Sequence, residues 1–253
     1  MQTILVVQFR TDVSEPHDEA CIRASVGAHV DQLQFINAVK ETLPLEIPND
    51  VVGIIFSGSG EFFLGKGDGQ DTWLPQTFSF LNKAMKNNIP VLGICFGHQI
   101  ILMHEGAEIK QVEECREVGT FTITKTDAAK DDPIFSQLPT QFKGMLGHKE
   151  TPVNMPPHIK ILASSERVLP QAIRIQGKDV WSTMFHPELT LSRMAERLYM
   201  FPNYAEDPSQ LEKTLALFED TPDAGKVLVA FVEYAFLKAG VEIIADPPEI
   251  INF

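Results

Sequence analysis

Three short apolar runs in the first hundred residues constrain the fold most strongly. Residues 2–9, Val51–Phe56 and Val91–Ile94 are nearly continuous in apolar and β-branched residues instead of alternating with polar ones. Strands that are covered on both faces lose that alternation, which is typical of parallel sheets. Apolar residues at helical spacing over residues 71–87 predict a crossover helix between the second and third runs. This order of elements predicts the α/β class, with a mainly parallel sheet flanked by helices.

The middle third of the chain has a different pattern. Residues 121–124 and parts of 159–163 alternate with period two, and residues 172–175 are joined to residues 180–185 by the turn-forming tetrad Gln-Gly-Lys-Asp. Period-two alternation and a short polar turn favour antiparallel strands and hairpins. We therefore expect antiparallel strands added to the parallel core.

Helical spacing predicts the remaining elements. Outside the crossover, the predicted helices cover residues 15–24, 30–39, 99–104, 191–200, 208–218 and 224–237, and residues 241–253 form a proline-interrupted tail. A chain of this length and composition is compatible with one α/β domain. We expect residues 1–190 to form that domain and residues 191–253 to form a C-terminal helical extension packed on it.

Charge and cysteine usage exclude several classes of function. The 253 residues carry 21 Lys and Arg against 34 Asp and Glu, a net charge of −13, so nucleic acid and anionic membranes are poor partners. The chain has no apolar window long enough to span a membrane, and its first apolar run is too short for a secretion signal. Three widely spaced cysteines argue against a disulfide framework and for the cytoplasm. The histidine spacings match no metal motif, so no metal or cofactor is expected.

One hexapeptide carries the strongest functional signal. In Gly93-Ile94-Cys95-Phe96-Gly97-His98, a nucleophilic residue stands at a strand-to-helix junction with glycines two residues before and two after it. This is the spacing of a nucleophile elbow, with Cys in place of Ser. The junction would put the thiol at a helix N-terminus, which favours a thiolate. The alternative is that Cys95 is a buried packing residue.

A second segment supplies a base and a carboxylate. In Phe185-His186-Pro187-Glu188, the histidine and the glutamate are two residues apart at the end of the last predicted strand. Residues two apart in a strand face the same side, so the imidazole and the carboxylate would lie together. A carboxylate on one ring nitrogen fixes the tautomer and supports the imidazolium. The alternative is a surface histidine beside a solvated glutamate.

Together, these two segments resemble the class I (triad) glutamine amidotransferase family, and especially the glutaminase domain of GMP synthetases. Supporting matches are Ser57-Gly58-Ser59-Gly60, where the family has a Ser-Gly-Gly-Pro turn, Arg116-Glu117-Val118-Gly119, and the stretch from Asp132 to Pro139. The resemblance covers residues 2–188 and implies a flavodoxin-like fold. No synthetase domain follows in the remaining residues, which lack the phosphate-binding P-loop pattern.

The resemblance implies a role for each matching residue. Cys95 would be the nucleophile, His186 the base and later the acid, and Glu188 the residue that orients the histidine. The backbone N–H groups of Phe96 and of the Gly58-Ser59 turn would form the oxyanion hole. Gln99, Gly147 and His148 would line the pocket for the substrate.

The expected activity is therefore release of ammonia from the side-chain amide of glutamine through a cysteine thioester, by the Cys-His-Glu set. The acceptor of the ammonia is not written in the sequence, and a separate synthetase subunit would be the natural partner. Two alternatives stay open: a γ-glutamyl peptidase or hydrolase that uses the same three residues, and a non-catalytic regulatory homologue.

Overall fold

A computed structural model describes residues 2–200 and 208–241. The strands are β1 (Thr3–Gln8), β2 (Leu33–Asn37), β3 (Val51–Phe56), β4 (Val91–Ile94), β5 (Glu108–Gln111), β6 (Glu117–Lys125), β7 (Gln141–His148), β8 (Glu150–Val153), β9 (Ile159–Ser164), β10 (Ala172–Ile175) and β11 (Val180–Thr183). The α-helices are α1 (Glu15–Ser25), α2 (Trp73–Lys86), α3 (Phe96–His104), α4 (Leu191–Met200), α5 (Leu211–Leu215) and α6 (Pro222–Lys238).

A nine-stranded sheet forms the centre of the molecule. Its strand order is β2-β1-β3-β4-β11-β10-β9-β6-β7, and a separate ribbon pairs β5 with β8. The first five strands of that order are mutually parallel, whereas β10, β9, β6 and β7 continue the sheet by antiparallel pairing. This arrangement confirms the predicted fold class, a mainly parallel sheet with helices and added antiparallel strands.

The parallel strands are buried on both faces, which explains their continuous apolar sequences. In β1, Ile4 and Val6 belong to the hydrophobic core shared with α6, whereas Leu5 and Val7 belong to the core shared with α2 and α3. All four side chains are buried. Period-two alternation therefore still exists in β1, but it divides two apolar layers instead of separating core from solvent.

Helix α6 packs directly on the sheet. A Cβ atom added at Gly53 in β3 would lie 2.8 Å from Ile4 Cδ1 and 2.9 Å from Ala235 Cβ, so the absence of a side chain at Gly53 lets the helix approach. Phe231 and Phe236 of α6 are also buried in this layer. The boundary at residue 190 stays a prediction, and residues 201–207 and 242–253 of the predicted extension and tail lie outside the described residues.

The helix predicted over residues 30–39 is wrong. A short 3-10 segment, Gly27–Gln32, is followed by strand β2, which pairs in parallel with β1. β2 is an edge strand, and its exposed Gln34 between buried and half-buried residues breaks the continuous apolar pattern of an inner strand. Backbone pairing with β1, a long-range contact, outweighs the local spacing. Strands β5, β7 and β8 were also not predicted.

Two general features of the described residues bear on function. Among residues 2–200 and 208–241, no helix is long and apolar enough to cross a lipid bilayer. The same residues contain no group of three or more His, Cys, Asp or Glu side chains arranged to hold a metal ion.

Candidate active site

Cys95 occupies a tight turn between β4 and α3. Its backbone has φ +50° and ψ −95°, a conformation that non-glycine residues rarely adopt. The flanking glycines allow the chain to close: a Cβ at Gly93 would lie 2.6 Å from the Gly97 carbonyl oxygen, and one at Gly97 would lie 2.2 Å from the Phe56 carbonyl oxygen. The turn is therefore the strained elbow that the glycine spacing predicts.

His186 and Glu188 lie in the turn that follows β11, and not in the strand itself. The strand argument for their common orientation is therefore wrong. The turn nevertheless brings them together, because His186 Nδ1–H donates a hydrogen bond of 2.7 Å to Glu188 Oε1. Both side chains are buried. A 3.0 Å hydrogen bond from the His186 backbone N–H to the Met145 carbonyl oxygen holds the turn against β7.

Sheet topology explains why Cys95 meets this pair across about ninety residues of chain. β4 and β11 are adjacent and parallel, with Ile94 opposite Thr183, and the Cys95 N–H donates to the Thr183 carbonyl oxygen at 2.7 Å. The residues that follow two parallel neighbours emerge at the same edge of the sheet. The side chains of Cys95 and His186 lie close enough to interact electrostatically. We call Cys95, His186 and Glu188 the Cys-His-Glu cluster.

The charges within the cluster support one another. Burial lowers the pKa of His186, but the neighbouring Glu188 and Cys95 side chains outweigh it and raise that pKa to about 9. Burial raises the pKa of Glu188, but His186 and Arg197 outweigh it and bring that pKa down to about 2. At neutral pH the histidine is therefore an imidazolium and the glutamate a carboxylate. Because His186 Nδ1 is hydrogen-bonded to Glu188, Nε2 is the ring nitrogen that is available to exchange a proton with Cys95.

The Gly58-Ser59 turn, which follows β3, lies beside the cluster. A Cβ at Gly58 would be 3.3 Å from His186 Cε1 and 3.7 Å from Cys95 Cβ. Phe96 is the first residue of α3, and the first N–H groups of a helix have no acceptor within the helix. Both predicted oxyanion donors therefore belong to segments that border the cysteine.

A cavity of about 340 Å³ opens beside Cys95. The three residues predicted to contact substrate, Gln99, Gly147 and His148, all line it. The wall is completed by residues from the loop after β3, from the start of α3, from the connection between β7 and β8 and from the start of β8: Ser59, Gly60, Glu61, Phe62, Phe63, Phe96, Lys149 and Glu150.

Two of the predicted substrate residues have their side chains tied to the protein. His148 Nδ1–H donates to the Glu150 carbonyl oxygen at 3.1 Å, and His148 Nε2 lies 3.0 Å from the buried carboxylate of Glu117. Gln99 Nε2 donates to the same Glu150 carbonyl oxygen at 3.2 Å. These bonds fix the cavity wall, and both ring nitrogens of His148 already have acceptors.

Sequence reasoning missed the buried charges behind Glu188. Arg197 on α4 lies 3.2 Å from Glu188 Oε1, and Asp18 on α1 lies 3.5 Å from both Arg197 and Arg10. Arg10 follows the carboxyl end of β1, the same sheet edge as Cys95, so its position in the chain was a usable signal. Asp18 and Arg197 stand among other charged residues in α1 and α4, and nothing in the sequence distinguished them from those neighbours.

The chain is similar to known proteins in both sequence and fold. A model of the family described as glutamine amidotransferase class-I matches residues 24–202. The chain is 29% identical over 154 residues to the glutamine-hydrolysing GMP synthase subunit of Methanocaldococcus jannaschii, covering 60% of this chain and 73% of that protein. It is 26% identical over 180 residues to the corresponding subunit of Thermococcus kodakarensis, covering 69% and 88%. In fold, it is similar to a glutamine amidotransferase from Thermotoga maritima, with a TM-score of 0.69 at 18% identity over 93% of this chain and 98% of the other.

Proposed function

The chain belongs to the class I glutamine amidotransferase family, and on that premise we propose that it hydrolyses the side-chain amide of glutamine and releases ammonia through a thioester on Cys95. The observation that carries the proposal is the Cys-His-Glu cluster at a cavity lined by Cys95 itself. In this proposal Cys95 is the nucleophile, His186 the base and acid, and Glu188 the orienting carboxylate.

The first half of the reaction forms the thioester. The Cys95 thiolate, whose proton His186 has taken as the base, attacks the amide carbon, and the carbonyl oxygen becomes a tetrahedral oxyanion that the N–H groups of Phe96 and of the Gly58-Ser59 turn stabilise. The His186 imidazolium then donates its proton to the amide nitrogen. The C–N bond breaks, ammonia leaves, and a γ-glutamyl thioester remains on Cys95.

The second half regenerates the enzyme. His186, now neutral, takes a proton from a water molecule that attacks the thioester carbon, and the C–S bond breaks to release glutamate. Glu188 stays ionised throughout and holds the ring so that Nε2 faces the sulfur. Gln99, Gly147 and His148 contribute the wall against which the rest of the substrate rests.

The test is direct. Purified protein should release equimolar ammonia and glutamate from glutamine, and an electrophilic glutamine analogue should modify Cys95 stoichiometrically, as read by mass spectrometry of the Cys95 peptide. Failure of both reactions would refute the proposal and would favour a non-catalytic regulatory homologue.

We further propose that the ammonia passes to a separate synthetase subunit, because the relatives are named as one subunit of a glutamine-hydrolysing GMP synthase. Purification from the native host, with the tagged chain as bait, should recover a nucleotide-binding synthetase. The pair should then support glutamine-dependent amidation that neither protein performs alone. Because the chemistry requires a reduced thiol, the proposed compartment is the cytoplasm.

One observation favours a second candidate function. A cavity of about 340 Å³ reaches the range of pockets that enclose drug-sized ligands, which are larger than glutamine. Phe62, Phe63 and Lys149 line it together with Cys95, so a γ-glutamyl peptide would fit the same attack with an amine as leaving group. The ratio of kcat/KM for glutamine to that for γ-glutamyl dipeptides decides between amidotransferase and peptidase.

A further inference from the structure

A line of buried charges runs from the Cys-His-Glu cluster into helices α1 and α4. Arg197 Nη1 lies 3.2 Å from Glu188 Oε1, and Arg197 Nη2 lies 3.5 Å from Asp18 Oδ1. Asp18 Oδ1 also lies 3.5 Å from Arg10 Nε, and Asp18 Oδ2 accepts a 3.0 Å hydrogen bond from the Gln8 amide. Glu188, Arg197, Asp18 and Arg10 are each at most 2% exposed.

The charges in this line balance. Two guanidinium groups face two carboxylates, so each buried charge has an opposite charge beside it, as burial requires. The fork of the Arg197 guanidinium lets one side chain face both Glu188 and Asp18, which a lysine cannot do with the same geometry. Arg197 therefore ties the turn after β11 to α1.

The geometry at Glu188 gives this tie a consequence for the reaction. Oxygen Oε1 of Glu188 is the atom that accepts from His186 Nδ1–H, and the same oxygen faces Arg197 Nη1. The Glu188 carbonyl oxygen also accepts a 3.0 Å hydrogen bond from Ser25 on α1. The position of Oε1, and with it the orientation of the His186 ring, is thus set from α4 and α1 as well as from its own turn.

We propose that Arg197 is a positioning residue for the reaction, which holds Glu188 Oε1 in place and ionised, so that helix α4 completes the catalytic site. The inference rests on the proposed function, because it assigns Glu188 the role of orienting His186. It predicts that helix α4, which follows residue 190, is required for activity, and not only for stability.

The groups that face Glu188 come from three elements. His186 on its own turn and Arg197 on α4 contact the carboxylate, and Cys21 on α1 is close enough to interact with it electrostatically, whereas Asp18 on α1 contacts Arg197. Burial raises the pKa of Cys21 to about 12, so this thiol is neutral over the assay range. Removing Arg197 takes away a cation that favours the Glu188 carboxylate, so the pKa of Glu188 rises. As the pH falls, Glu188 in the variant is therefore protonated at a higher pH than in the wild type, and the His186 imidazolium loses the neighbouring negative charge there.

The experiment compares Arg197→Met and Arg197→Lys with a control, Arg193→Met, one turn earlier on the same helix. Arg193 pairs with Glu196 at 2.9 Å near the surface. The readouts are kcat and KM for glutamine, the melting temperature, and the rate of Cys95 alkylation by iodoacetamide from pH 2 to 9, resolved by mass spectrometry of the Cys95 peptide. Alkylation requires no knowledge of the substrate.

The expected result has three parts. Arg197→Met lowers kcat about 10- to 100-fold, the loss typical when a residue that orients a metal ligand is removed, and leaves KM within about twofold. The pH at which the alkylation rate of Cys95 falls on the acid side of its profile, the acid limb, rises by on the order of one pH unit. Arg197→Lys retains more activity with a smaller shift, and Arg193→Met behaves as the wild type.

Two results would overturn the proposal. One is a folded Arg197→Met variant with wild-type kcat and an unmoved acid limb. The other is a loss of kcat that only parallels the fall in melting temperature, again with an unmoved limb. If Arg197→Met does not fold, the same criteria apply to Arg197→Lys. Wild-type protein that hydrolyses neither glutamine nor γ-glutamyl peptides would refute the proposed function instead, and the alkylation profiles would still decide the role of Arg197.

Discussion

The substitution Glu188→Gln removes one charge from the Cys-His-Glu cluster with little change of shape. Arg197 Nη1 faces the Oε1 position, so it should hold the amide oxygen of the glutamine there. The hydrogen bond from His186 Nδ1–H would then persist, and the ring would keep its orientation. The variant therefore isolates the effect of the negative charge on the imidazolium.

The magnitude follows from the pKa of His186. Burial lowers this pKa, but Glu188 and Cys95 together raise it from 6.5 to about 9. A net rise of roughly 2.5 units corresponds to about 3 kcal/mol of extra stabilisation of the imidazolium. If Glu188 supplies most of it, the variant loses up to a few hundred-fold, on the order of 10^2.5, in kcat/KM. The loss should be smaller than for removal of the sulfur or the ring.

The assay is ammonia release from glutamine as a function of pH, with Glu196→Gln as the matched control on α4. Loss of the carboxylate lowers the pKa of His186, so the alkaline limb of the profile, where the imidazolium deprotonates, should move to lower pH. The control should keep the wild-type limb. A Glu188→Gln variant with wild-type kcat/KM and an unmoved alkaline limb would refute the assignment of Glu188 as the orienting group.

The remaining expectations concern the nucleophile, the base, the elbow and the pH dependence of stability. Cys95→Ala should abolish ammonia release while circular dichroism and the melting temperature stay near wild type, since the volume lost is small. His186→Ala should be nearly as inactive, and the double variant no worse, because the two groups act as one unit; additive losses would contradict this. Gly97→Ala should lower the free energy of unfolding in urea by about 2 kcal/mol or more, since its Cβ would lie 2.2 Å from a β3 carbonyl oxygen. The control Gly225→Ala in α6, whose Cβ would have its nearest neighbour at 3.7 Å, should be neutral or slightly stabilising. The lowered pKa of Glu188 adds stability that is fully present above pH 4.5 and is lost as the pH falls through about 2. The raised pKa of His186 adds stability that is fully present below pH 6.5 and is lost as the pH rises through about 9. In urea unfolding, the difference in free energy of unfolding between wild type and Glu188→Gln should therefore be largest at pH 4.5–6.5.

Local sequence correctly predicted the elements in which the apolar pattern directly reflects the faces that are buried. The runs that became β1, β3 and β4 are apolar on both faces because both faces are covered, and α2 shows helical spacing because one side packs on the sheet. The helix predicted over residues 30–39 was wrong because β2 is an edge strand, with a single neighbour in the sheet and a mixed pattern. Its structure depends on pairing with β1, which no local window contains.

The cluster was predicted in part for the right reason. The glycines around Cys95 are required by contacts below 3 Å, as the elbow pattern implies. The reasoning for His186 and Glu188 used strand alternation, but a turn orients them. The resemblance of both motifs, the one around Cys95 and the one at His186 and Glu188, to those of the family was a better guide than the strand geometry inferred for the second motif.

The sequence alone determined the α/β class, the parallel core and the identity of the cysteine, histidine and glutamate, because apolar runs and glycine spacing encode short-range sterics that every fold of this kind must satisfy. Which distant charges lie behind Glu188 depends on how the helices pack in the folded chain. Asp18 and Arg197 are separated by about 180 residues and are brought together by the packing of α1 against α4. An ion pair between helices depends on where the sheet places each helix, and that information is spread over the whole chain.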